Sequence, residues 1–288
     1  MHDDGLPPLR DVISKHGLRA DKKFGQNFIL DLNVTRRIAR HAGDLTDCEV
    51  VEIGPGPGGL TRGLLMEGAR KVHVIEADSR FIPALQEIAQ AYPDRLNIAE
   101  GDALQIRPKD LTNGPFRIVS NLPYNIGTAL LTGWLDGGWS DGDWQPPFLS
   151  MTLMFQKEVA QRITARAGEK HYGRLAVLAN WLCDTDLVFE VDRQVFVPPP
   201  KVTSAIAHLV PRARPMAEAD PEVLEKLTAA AFGQRRKMLR ASLKQICSDA
   251  QALLAEAGID ETDRAEVLTI DDFCKLTRLL PSYKVGEL

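Results

Sequence analysis

The stretch Glu49-Val50-Val51-Glu52-Ile53 runs without a break into Gly54-Pro55-Gly56-Pro57-Gly58-Gly59, and few folds accept that junction. A short β-branched run bounded by glycine reads as a strand. Glycines at 54, 56 and 59 satisfy G-x-G-x-x-G, the turn that opens a helix against a nucleotide. The next strand, Lys71-Val72-His73-Val74-Ile75, ends on Glu76, about 20 residues on, where an acid accepts from ribose hydroxyls. A third strand leads from Leu96 to Asp102, a fourth covers Arg117 to Ser120, and a fifth covers Phe148 to Phe155 with a helix from Lys157 to Ala167 behind it. Alternating strands and helices in this order predict an α/β fold with a doubly wound parallel sheet. Both NAD and S-adenosylmethionine carry the ribose that Glu76 would meet, so the loop alone does not choose between them.

The fourth strand ends at Asn121-Leu122-Pro123-Tyr124. Pro123 turns the chain out of the sheet at the carboxyl end of the strand, which is where an open α/β sheet binds its ligands. The Asn121 amide oxygen and the Leu122 carbonyl can accept two hydrogen bonds from an exocyclic NH2, and Tyr124 offers a ring face. Adenine or cytosine would suit such a site. No hydride-transfer constellation stands nearby, which favours methyl transfer over NAD chemistry.

Four further blocks accompany the tetrapeptide: Phe24-Gly25-Gln26-Asn27-Phe28, the glycine loop, Phe196-Val197-Pro198-Pro199-Pro200-Lys201-Val202 and Gln234-Arg235-Arg236-Lys237. With them the chain resembles the rRNA adenine N6-dimethyltransferases, specifically the bacterial 16S rRNA branch, from about Lys22 to Leu280. The resemblance implies a Rossmann-like class I S-adenosylmethionine-dependent methyltransferase sheet followed by a small all-α C-terminal domain. It places Asn121, Leu122, Tyr124 and Phe196 at the target base. It places Asn27, Ile29, Gly54, Gly56, Glu76, Asp102 and Asn121 around S-adenosyl-L-methionine. The implied reaction is N6-dimethylation of two adjacent adenosines in a hairpin near the 3′ end of 16S rRNA, within a small-subunit assembly intermediate. Two other readings compete: a macrolide-resistance type dimethyltransferase acting on 23S rRNA, and a non-catalytic assembly factor on the same fold. Gln234-Arg235-Arg236-Lys237 with Leu239 resembles the 16S branch, and intact Asn121, Tyr124, Glu76 and Asp102 speak for retained catalysis.

Read from the residues alone, several of these positions keep a plainer meaning. Asp102 would serve equally as a turn or cap residue. Phe196, held by the proline run, is either a ring placed for stacking or a plug at the edge of the core. Trp134, Trp139 and Trp144 form either a packed loop or a platform for bases.

The resemblance, with a Pro/Arg/Ala linker from Pro211 to Pro215, divides the chain into a methyltransferase domain over 1–213 and a helical RNA-binding domain over 214–288. Within the first, residues 1–45 form an arm and helices that cap the cofactor site. Helices are expected over 221–232, 234–246, 248–257 and 269–280, the last with Thr269 and Asp272 as a capping box. The formal net charge of −4 does not announce a nucleic-acid binder, so any RNA footprint must be local. Between Phe232 and Cys247 there are five basic residues and no acidic one. On a continuous helix Arg236, Lys237, Arg240 and Lys244 would share a face, with Arg235 beside them. Lys22 and Lys23 add a second basic site. Cys48, Cys183, Cys247 and Cys274 are scattered, giving neither a zinc ribbon nor a disulfide framework, so buried thiols and no metal are expected. No secretory leader or membrane span is apparent, and a cytoplasmic monomer without a membrane partner is expected.

Overall fold

The computed structural model describes residues 4–21 and 26–283. The chain separates into two compact units, Met1–Ala160 with Asp186–Pro211, and Gln161–Thr185 with Arg212–Leu288. The helices are α1 (Leu9–Lys15), α2 (Leu32–His41), α3 (Gly59–Met66), α4 (Ile82–Ala91), α5 (Gly127–Asp136), α6 (Lys157–Thr164), α7 (Arg174–Leu182), α8 (Pro221–Gly233), α9 (Leu239–Ser242), α10 (Ala250–Ala257) and α11 (Ile270–Leu279). The main sheet comprises β1 (Glu49–Ile53), β2 (Lys71–Glu76), β3 (Leu96–Glu100), β4 (Phe116–Asn121), β5 (Phe148–Gln156), β6 (Cys183–Val191) and β7 (Ser204–Pro211).

In the first unit the seven strands lie in the order β3-β2-β1-β4-β5-β7-β6. Strands β1 to β5 pair in parallel, and β7 runs antiparallel to β5. This is the α/β sheet that the strand pattern predicts. All five residues of β1 are buried, as expected for a parallel strand covered on both faces. The winding reverses between β1 and β4, so a crevice opens beyond their carboxyl ends. There the Ser120 hydroxyl donates to the Ile53 carbonyl at 2.8 Å, tying the two strands where they part.

Close helix packing brings the glycine loop to this crevice. A Cβ at Gly63 would stand 2.8 Å from Thr35 Oγ1 and 2.9 Å from the Thr35 carbonyl carbon, so α2 and α3 touch backbone to backbone. The other side of α3 carries Arg62, which makes a buried bidentate pair with Asp4 at 2.6 Å and donates to the Pro7 carbonyl at 2.7 Å. The N-terminal segment is thereby fastened to the helix that starts at the glycine loop.

The second unit is helical. Asn180 accepts from Thr185 and donates to the carbonyls of Ile163, Ala165 and Ala176. The ring of Phe232 packs against Phe273 and Tyr172 at centroid distances of 5.5 and 5.9 Å. The Thr269–Asp272 capping box forms as expected. All four cysteines are buried free thiols.

Two sequence expectations are corrected. The boundary at 213/214 moves to Pro211/Arg212, and residues 161–185 join the helical unit. The cause is local: Arg212 N–H donates to the Leu182 carbonyl and Met216 N–H to the Trp181 carbonyl, so the linker lies along the end of α7. The helix expected over 234–246 does not form. After α8 the chain turns from Gln234 to Met238, and a short α9 is followed by a 3₁₀ turn, Leu243–Gln245. Met238 is extended, and the N–H groups of Leu239 and Arg240 donate to the carbonyls of Asp263 and Glu261. Those distant acceptors replace the ones a continuous helix would supply. Arg236 and Lys237 therefore lie on a turn and share no helix face with Arg240 and Lys244. Among the described residues no helix is long and apolar enough to cross a membrane. No group of His, Cys, Asp or Glu among them could hold a metal ion.

Candidate active site

The crevice at the strand reversal is a cavity of about 340 Å³ within the first unit, at the lower end of the roughly 300–1,000 Å³ usual for small-molecule sites. The segments that the sequence places around the cofactor, and the tetrapeptide from Asn121, all line it. The glycine loop follows β1, Glu76 ends β2, Asp102 follows β3, Asn121 to Tyr124 end β4, and Gln26 to Ile29 close one side. Of the arm expected over 1–45, it is this last segment that lines the cavity.

The loop works by backbone conformation. Gly54 and Gly56 have φ of 62° and 55°, in the left-handed region that favours glycine. A Cβ at Gly59, the first residue of α3, would stand 2.5 Å from the Ile29 carbonyl oxygen. Ile29 and the loop therefore meet without room for a methyl group. The buried Glu76 carboxylate accepts from Gly56 N–H at 3.0 Å and from Asp78 N–H at 2.8 Å. A carboxylate has about four acceptor sites, so it can still accept from a ligand hydroxyl. Burial pushes the Glu76 carboxyl up, against the backbone N–H bonds from Asp78, Gly56 and Ala77 that lower it.

Glu52 is the cavity residue to which the sequence reading gave no separate role. It is fully buried, accepts from the Thr61 hydroxyl at 2.6 Å, and is pushed up to about 8, by burial first, with the Glu76 charge adding to the rise. Its signal in the sequence was an acid between Val51 and Ile53, just before the glycine loop.

At the tetrapeptide, Asn121 Nδ2 donates to the Asn27 carbonyl at 3.2 Å. A carbonyl only accepts, so this bond fixes which end of the amide faces it and leaves Oδ1 as the end offered to a ligand. Leu122 and Tyr124 also line the cavity. The half-buried Tyr124 shares a 2.6 Å hydrogen bond with Ser204 Oγ at the start of β7, which pins the ring, and burial raises its phenol above the usual value.

Asp102 lines the cavity but is exposed, and its Oδ1 accepts from Leu104 N–H at 2.9 Å. It is therefore both the turn residue and a cavity residue. Of the two readings open for Phe196, the structure shows the core one: only 1% exposed, the ring is absent from the cavity lining and belongs to the hydrophobic core. The reason is a two-residue ribbon in which Phe28-Ile29 pairs with Phe196-Val197, drawing the ring inward. Lys22 and Lys23 lie outside the described residues. Of the basic residues in the second unit, Arg235 pairs with Glu266 at 3.1 Å and Arg240 with Glu261 at 2.5 Å. Arg236, Lys237 and Lys244 are exposed.

Residues 17–281 match the family model described as ribosomal RNA adenine dimethylase. The chain belongs to that family. Among members of the ribosomal RNA adenine dimethylase family, the ribosomal RNA small subunit methyltransferase A of Paracoccus denitrificans (strain Pd 1222) is 58% identical over 276 residues, which is 96% of each chain. The crystal structure of a dimethyladenosine transferase from Plasmodium falciparum superposes with a TM-score of 0.73 at 27% identity, covering 88% of this chain and 96% of that one. That of the 23S rRNA methyltransferase ErmE gives 0.68 at 30%, covering 88% and 100%.

Proposed function

We propose that the chain dimethylates the N6 amines of two adjacent adenosines near the 3′ end of 16S rRNA, using S-adenosyl-L-methionine, during assembly of the small ribosomal subunit. The observation that carries this reading is the oriented Asn121 amide in the wall of the cavity that the glycine loop and Glu76 also line. The cofactor fits the residues present. Gly54 and Gly56 give a backbone approach, Glu76 can accept from a ribose, and Asn27, Ile29 and Asp102 complete the enclosure, with Asn121 between cofactor and base. The bound cofactor supplies an electrophilic methyl group on a sulfonium.

The lone pair of an aryl amine is delocalised into its ring. If Asn121 Oδ1 and the Leu122 carbonyl accept the two amine hydrogens, the nitrogen is drawn toward tetrahedral geometry and its lone pair turns toward the methyl donor. No strong base is needed, because the product proton can leave to water. Rate enhancement rests on positioning and on a polar site arranged for the shifting charge. Tyr124, held by Ser204, supplies the stacking surface. Phe196 takes part only if the 28–29/196–197 ribbon opens.

Methyl transfer from labelled cofactor to small subunits lacking the modification, with large subunits alongside, tests the reading. Dimethyladenosine on the small subunit alone is expected. Label on the large subunit would favour the 23S reading, which the likeness to ErmE keeps in view. Cofactor binding without transfer to either would favour an assembly factor. Asn121→Ala should abolish transfer while sparing RNA binding, and an equal loss of both would contradict the assigned role. A cytoplasmic monomer acting on a pre-assembled particle completes the proposal.

A further inference from the structure

A second cavity of about 400 Å³ lies beside the first, in the same unit. Ala103 and Leu104 line both, and Leu104 stands 53% exposed at the seam. Its floor includes the buried side chains of Phe116, Ile118 and Phe148, and its walls include Trp134 of α5 and Trp139.

Trp139 is held by construction. Trp139-Ser140 pairs with Asp143-Trp144 through a two-residue turn, Asp141-Gly142, with φ of 52° and 85°. Positive φ at both turn residues belongs to the hairpin turn that matches strand twist. Trp144 is buried against Gly138, where a Cβ would come 2.3 Å from its ring. Its centroid lies 5.7 Å from that of Trp139. The half-buried Trp139 ring is thus backed and oriented before any ligand arrives, so little ordering entropy remains to be lost on binding.

The charged residues lining this cavity are both cations, Arg107 and Lys109. Arg107 is committed to Asp110 through bonds of 2.8 and 3.1 Å. Lys109 is exposed and has no ion-pair partner among the described residues. The ribbon's carboxylates, Asp141 and Asp143, do not line the space. Indole faces with an uncommitted ammonium group match a flat ring attached to a phosphate. The shared Ala103-Leu104 wall puts that ring within reach of the strand that would enter the first cavity.

We propose that this second cavity takes an unpaired nucleobase flanking the target adenosine in the same RNA strand, stacked at Trp134 and Trp139 with its phosphate at Lys109. The proposal rests on the RNA-adenosine reading above and adds a substrate contact to it.

Two variants test it. Trp134→Ala removes a wall. Gly133→Leu fills the space instead, because nothing lies within 4 Å of a Cβ built there, and it removes no packed ring. Binding of a short, end-labelled, unstructured RNA is measured by fluorescence anisotropy, with methyl transfer to unmodified small subunits run in parallel. Both variants should weaken RNA binding by about fivefold or more, the low end for loss of one stacked base. S-adenosylmethionine affinity should be unchanged. Lys109→Ala should reduce the salt slope by about 0.7. Unchanged RNA affinity in both variants, or no RNA binding by the parent chain, overturns the proposal. A raised KM for subunits with unchanged RNA affinity also overturns it, in favour of a protein segment as occupant. If the parent chain transfers no methyl group to subunits, the function above fails, whatever the RNA arm gives.

Discussion

Glu52→Gln gives the sharpest test of the electrostatics of the site. Glu52 is fully buried in the cavity wall, and its carboxyl rises from an ordinary 4.5 to about 8. Between those values the folded chain keeps a proton that the unfolded chain has released. Stability is therefore full below the lower value, falls as pH rises through the window, and levels off above about 8. At about 1.4 kcal/mol for each pH unit across it, the loss reaches about 3 kcal/mol at pH 7 and about 5 kcal/mol above pH 8. Glutamine keeps an acceptor for the Thr61 hydroxyl, which now reaches Glu52 at 2.6 Å, and has no proton to lose. The variant should match the parent near pH 5 and exceed it by several kcal/mol at pH 8. Three of the four tryptophans, Trp134, Trp139 and Trp144, belong to the unit that holds Glu52, so fluorescence-monitored denaturation reports on it. A difference between variant and parent that stays flat within about 0.5 kcal/mol from pH 5 to 9 would refute the reasoning.

Arg62→Ala would leave the Asp4 carboxylate buried without its partner and should cost about 3–5 kcal/mol, whereas a loss under 1 kcal/mol in the same assay would place that carboxylate in water. Gly59→Ala drives a methyl group into the Ile29 carbonyl, so it should lower both the melting temperature and cofactor affinity. Gly133→Ala meets open space in a helix and should add up to about 1 kcal/mol; equal melting shifts for the two would contradict the packing described. Because Arg240 is paired and Arg236 and Lys237 are exposed, Ala at 236 and 237 together should flatten the salt dependence of RNA binding more than Arg240→Ala does. The reverse order in a salt titration would move the footprint.

What was legible in the sequence was local or periodic. The strand before the glycine loop, the acid about 20 residues on and the turn at Pro123 each follow from neighbours in the chain. The choice between the two readings of Phe196 was not, because its burial depends on Phe28-Ile29 pairing with residues almost 170 positions away. The helix over 234–246 failed for a like reason: the acceptors for Leu239 and Arg240 sit at 261 and 263, where helical periodicity cannot see them. Glu52 looked like an ordinary strand residue until Thr61 and Glu76 were placed beside it. The boundary moved because α7 draws the linker to itself through backbone bonds that composition does not record.

The place of β7 between β5 and β6 makes the last strand of the sheet in sequence an inner one. Strand β6 is synthesised first, yet its neighbour in the sheet is made afterwards, so it has no seat until residues 204–211 arrive. Until then β5 presents an open edge, an invitation to pair with another chain. Ser204, the first residue of β7, is also the partner of Tyr124. The pairing that covers this edge therefore also brings Ser204 to the Tyr124 hydroxyl, so the closing of the sheet and the fixing of that ring are one structural event.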